Sequence, residues 1–158
     1  MTIHMTPVWK MCINKGNAAL AEGRGFDAQA HFASAEGQGL PPAFAAVHSA
    51  MALLLLGRHS VARATVEMAI PHAAGVFVHA QLLALSALAD ALCGRPDAGA
   101  LGRLENCLLE LADIGLPFDL DQSDLHNLMR GLVVRHKLTD RPRSVFRLLV
   151  AWPAAVAA

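Results

Sequence analysis

Eight histidines and three cysteines are the residues in this chain best suited to hold a metal or to act as base and nucleophile. A zinc site needs three or four such ligands converging on one point, usually announced by close pairs in sequence. The histidines His4, His31, His48, His59, His72, His79, His126 and His136 form no HExxH, and no Cys–His pair has zinc-finger spacing. His72 and His79 are seven apart, but Gly75 between two expected helices leaves them without a shared face. Cys12, Cys93 and Cys107 are odd in number, far apart and free of any CxxC. They read as reduced core residues of a cytoplasmic protein. Asp119, Asp121 and Ser123 open like a calcium loop, but the sixth position is Asp124 where glycine is needed and the twelfth is Arg130 where glutamate is needed. Helix capping accounts better for these acids. There is no glycine-rich nucleotide pattern, no GxSxG and no local Cys–His–Asn arrangement. The expectation is therefore a protein that is not an enzyme and needs neither metal nor cofactor.

Charge is the next source of chemistry. Six acids, Glu105, Glu110, Asp113, Asp119, Asp121 and Asp124, run without an intervening base. Six bases follow, Arg130, Arg135, Lys137, Arg141, Arg143 and Arg147, against Asp140 alone. A basic stripe can contact phosphate, so a helical regulator touching nucleic acid through residues 130–147 is one alternative. Val133, Val134 and Leu138 share that segment, however, and Phe146 is its one Phe, Trp or Tyr, too few to interleave as stacking platforms. Pairing of the two segments, or plain solvation, accounts for the same pattern. Across the chain 13 basic residues balance 13 acidic ones, so bulk charge favours neither nucleic acid nor a membrane surface.

The elements that would position these residues are helices. Apolar residues make up 54% of the 158 positions and charged ones 16%, the reverse of a disordered chain. Alanine and leucine dominate, both strong helix formers, and alanine lets helices approach closely. Arginine outnumbers lysine ten to three, the usage of a GC-rich bacterial genome. Met1 to Lys10, with Pro7 and Trp9 and no long apolar run, does not read as a secretory signal, and Ala43 to Leu56 is too short to span a bilayer and is broken by His48 and Ser49. Helices are expected over 8–22, 27–37, 42–56, 60–73, 76–93 and 97–114. Pro42 and Pro96 suit first-turn positions. After the break at Gly115-Leu116-Pro117, a helix over about 122–137 is expected, and Pro142 opens a last one.

The helices repeat. At a shift of 34 residues, Gly16 falls on Ala50 and Ala84, Ala19 on Leu53 and Ala87, and Gly23 on Gly57 and Ala91. Ala28 falls on Ala62, Phe32 on Val66 and Ala35 on Ala69. One helix pair cannot bury its apolar stripe alone, so such units must stack. The pattern over Trp9 to Gly115 resembles the tetratricopeptide repeat, with its small residue near the eighth position, its turn glycine and its Ala–aromatic–Ala ladder. The third unit departs from it. Gly94 comes late, and a ladder of Ala100, Leu104 and Cys107 appears about one turn beyond its place. The first two units also lack the closing proline, though Pro41 and Pro71 lie nearby. The resemblance implies a single all-α domain, a superhelical stack over 9–115 with capping helices over 116–158.

It also implies a concave groove lined by the first helix of each unit. By that register the groove residues are Lys10, Ile13, Asn17, Leu20 and Ala21, then Phe44, Val47, Met51, Leu54 and Leu55, then Val78, Gln81, Leu85, Leu88 and Ala89. The family's clamp for acidic tails needs several Lys, Arg and Asn there, and Lys10 and Asn17 alone make a poor version of it. An apolar groove suits an amphipathic helix or an extended apolar peptide. The functional expectation is an adaptor or small chaperone whose partner is another protein, with a homodimer left open. A narrower alternative is a chaperone of the type III secretion translocator kind. Size and an apolar groove agree with it; the missing leading helix and the neutral composition do not. Burial of the run from Phe44 to Leu56 on all sides, with C-terminal helices folded back over it, competes with an open groove.

Overall fold

The structure is a computed structural model. It describes residues 7–73, 75–94, 99, 102–106, 109 and 123–138, without the side chains of 76, 77 and 123–128. Every secondary-structure element among the described residues is helical. In chain order they are α1 (Val8–Ala21), α2 (Gly25–Gly37), α3 (Pro42–Leu55), α4 (His59–Ala69), a 3₁₀ turn (Ile70–His72), α5 (Val76–Leu92) and, after a helical stretch at 102–106, α6 (Ser123–Arg135). The chain is all-α, as its composition requires.

The 34-residue period is a property of the backbone as well as of the sequence. α1, α3 and α5 begin at residues 8, 42 and 76, and α2 and α4 begin at 25 and 59. α1 and α3 end alike. Gly23 and Gly57 each take φ +76°, and the next amide reaches back to close the turn: Arg24 N–H to the Ala19 carbonyl at 2.8 Å, Arg58 N–H to Leu53 at 2.9 Å. Glycine accepts this left-handed geometry without steric cost, which is why the second helix can start so soon. α6 ends by the same device with Lys137 at φ +55° in the glycine position, and Leu138 N–H on the Val133 carbonyl at 3.0 Å. Helix α4 stops short of its expected end because Pro71 has no amide to continue the ladder.

Consecutive helices pack on one another from α1 through α5, and α3 also packs directly on α5. The second helix of each pair turns its small-residue ladder inward: Ala28, Phe32 and Ala35 on α2, and Ala62, Val66 and Ala69 on α4, are all buried. Phe32 lies against Gly16, where an added Cβ would sit only 2.3 Å from the ring. Burying that ring contributes about 2–3 kcal/mol. In the third unit Leu104 is buried, while Ala100 and Cys107 lie outside the described residues. α6 returns to pack on α1, and Met129, Leu132, Val133 and Leu138 are buried with it. Most of the acidic run, Arg141, Arg143 and Arg147 of the basic run, and the helix expected from 142 lie outside the described residues.

Candidate functional site

The groove expected along α1, α3 and α5 is not open. Ile13, Asn17, Leu20, Val47, Met51, Leu54, Gln81, Leu85, Leu88 and Ala89 are all buried, with Met51 1% exposed. This corrects the expectation that they face a client. The physical reason is that α3 and α5 are central. Residues 80 to 91 of α5 are buried without interruption, so its whole circumference is covered. Leu55 is half-buried, and Lys10 and Ala21 are exposed.

Two of the predicted residues do reach an accessible hollow. Phe44 and Val78 sit at equivalent places, 34 residues apart, in the first turns of α3 and α5. With Pro41, Pro42, Ala43 and His72 they line a predominantly apolar cavity of about 580 Å³. Phe44 is half-buried, with its ring edge-on to Trp9 at 6.4 Å and to His48 at 5.0 Å. A smaller hollow of about 330 Å³ shares Pro42, Ala43 and His72 and extends to Met68, which is 77% exposed. The two prolines build this end of the molecule. They force extended backbone before α3, so the helix begins abruptly and presents Phe44 at its mouth.

Behind Phe44 stands a group that local sequence did not single out. His48 is fully buried between Phe44 and Phe32, whose ring lies 5.1 Å away, and neither ring nitrogen has a hydrogen-bond partner among the described residues. Burial disfavours the charged imidazolium and pushes its pKa down to about 4. The imidazole serves here as a neutral ring in an aromatic stack.

The second feature is a polar seam between α4 and α5. Ser60 meets Cys93 at 3.8 Å, Arg63 pairs with Asp90 at 2.5 Å, and the Ser86 hydroxyl donates to Glu67 at 2.6 Å. Each step forward along α4 is a step back along α5, the register of antiparallel neighbours. Asp90 is only 3% exposed in its side chain, whereas Arg63 is 45% exposed. The seam opens onto a cleft of about 740 Å³ lined chiefly by His59, Ser60, Arg63, Glu67, Cys93 and Arg103. His59 also stands edge-on to His136 just beyond α6, at 6.2 Å. Motif reading missed this site because its members come from three segments, with no fixed spacing. The available signal was the interruption of an apolar α5 by Ser86 and Asp90, one turn apart, matched by Arg63 and Glu67 one turn apart on α4.

Among the described residues no three His, Cys, Asp or Glu side chains are gathered as a metal site would require, and no helix is long and apolar enough to cross a membrane. No family model, curated protein or solved structure matches the chain.

Proposed function

We propose that the chain is a protein-interaction adaptor or small chaperone built on tetratricopeptide-type repeats, which takes an apolar segment or amphipathic helix of a partner protein at the mouth of α3 and α5. The observation that carries this reading is the hollow in which Phe44 and Val78, equivalent residues of successive units, stand together beside Pro41, Pro42 and His72. A cavity of this size holds one or two apolar side chains of a partner, and half-buried aromatic residues are the usual anchors of such contacts. The 34-residue spacing of helix starts and turn glycines supports the repeat assignment.

The test is affinity capture from cells that make the protein, comparing the wild type with Val78→Arg. Val78 is only half-buried, so the charge can reach water and the melting temperature should stay within a few degrees. Proteins enriched by the wild type should be lost from the variant, and a peptide from such a protein should bind at least tenfold more weakly to it. Equal capture by a folded variant would remove the hollow from the binding surface.

A further inference from the structure

We propose that the α4–α5 cleft binds a small phosphorylated molecule, with its phosphate between Arg63, Arg103 and Ser60 and its other end reaching Glu67. The inference rests on two guanidiniums with unused hydrogen-bonding capacity facing one cavity. Arg63 meets Asp90 most closely through Nε, and its guanidinium, on a side chain that is 45% exposed, keeps N–H donors beyond those one paired carboxylate uses. The carboxylate that fixes Nε is itself buried, so the arginine is oriented before any ligand arrives, which reduces the entropy lost on binding. Arg103 enters the same cleft from the next helical stretch, is exposed, and has no hydrogen bond or ion pair among the described residues. Planar guanidiniums match the paired oxygens of a phosphate, and the Ser60 hydroxyl, held only by a weak contact to Cys93, is free to turn towards one.

The surroundings favour an anion at this end. His59 lines the cleft at this end with its ring edge-on to His136, and Glu67, the one carboxylate among the described lining residues, is not here. Glu67 lies seven residues along α4 from Ser60, about 10 Å at the helical rise, so its charge marks the opposite end of the cleft. One of its oxygens is engaged by Ser86. The other can accept from a hydroxyl or amine on the body of the ligand. A volume of about 740 Å³ is far larger than a bare phosphate requires and falls in the range of small-molecule sites.

The experiment is a two-dimensional amide NMR titration of the full chain with inorganic phosphate, with glycerol phosphate, and with sodium chloride at matched ionic strength. Saturable shifts at Ser60, Arg63, Ala64 and Cys93 are expected for both phosphates and not for chloride, with glycerol phosphate the tighter. Arg103→Gln, at an exposed position, should keep the spectrum and weaken both phosphates at least fivefold. Glu67→Gln should reduce the advantage of glycerol phosphate over inorganic phosphate. Shifts that never saturate, or that chloride reproduces, overturn the proposal, as does unchanged affinity in Arg103→Gln. Binding seen only with vesicles containing phosphatidic acid would make the site a lipid contact and overturn it equally. Val78→Arg should leave the titration unchanged, which separates this site from the apolar hollow.

Discussion

Between α1 and α2 the chain sets a phenyl ring against a glycine; between α4 and α5 it sets an arginine against a buried carboxylate. Both interfaces join helices that are consecutive in the chain. The first is specified by volume. Phe32 fills the space that Gly16 leaves, and the equivalent positions one unit later hold a smaller Val66 and a larger Ala50, both fully buried. The loss of bulk on one helix accompanies a gain on the other, so the 34-residue geometry survives the change. The second interface is specified by register. A slip of one residue between α4 and α5 would leave Asp90 buried without Arg63 and Glu67 without Ser86. An apolar seam tolerates rearrangement at modest cost, whereas a polar one does not.

Substitutions can break or sharpen this contrast. The largest effect is expected in the core that both interfaces share. Met51→Glu places a charge at a position 1% exposed and should cost more than about 4 kcal/mol, seen as loss of cooperative thermal unfolding. A folded, fully stable variant would show that α3 can open to solvent. At the polar seam, Arg63→Ala should cost about 1–2 kcal/mol in denaturant unfolding, because it removes a half-exposed guanidinium that pairs with the buried Asp90 carboxylate. Arg63→Met combined with Asp90→Leu should recover most of that loss, which would show that the pair sets register more than it supplies stability.

His48 belongs to the apolar side of the comparison and gives a pH signature. Its pKa is about 4 when folded and near 6.5 when unfolded, so between these values the unfolded chain binds more protons. Stability from this group is therefore complete above about pH 7 and falls as pH drops through 6.5 towards 4, by up to about 3 kcal/mol. The slope of unfolding free energy against pH should be shallower over this window in His48→Leu than in the wild type. An identical slope would mean that His48 is solvated.

Gly16→Ala should cost about 1–3 kcal/mol, because the new methyl meets the Phe32 ring. Adding Phe32→Val, which copies the second unit, should restore part of it. A double variant no more stable than the sum of the singles predicts would show that the two positions are not coupled by volume. The smallest effect is expected at the end of α6. Lys137→Gly relieves a left-handed residue and should raise stability by about 0.5–1 kcal/mol, measured as a small increase in melting temperature.

Much of the fold was legible in local residues because its determinants are local. Alanine and leucine content dictated helices, Gly23 and Gly57 marked their ends, and Pro42 marked a beginning, so α1, α3 and α5 lie within a residue of their expected bounds. The ladder residues Ala28, Phe32, Ala62 and Val66 were identifiable as core because small and large residues recur there at 34-residue spacing. The groove was less legible for the same reason. A repeat register states which face of α3 and α5 is apolar, and an apolar face looks the same whether it awaits a partner or is already covered by the protein itself.

The sequence by itself determined an all-helical chain with a 34-residue period and the residues that terminate its helices, since backbone propensity and left-handed turns depend on neighbours a few positions away. Tertiary structure decided which apolar residues remain accessible. It buried Met51, Leu54 and Leu85, left Phe44 and Val78 at the mouth of a hollow, and brought Arg63, Cys93 and Arg103 to one cleft from three separate segments. Those outcomes depend on helices packing across long sequence separations, where burial is a property of what lies opposite a side chain and not of the side chain alone.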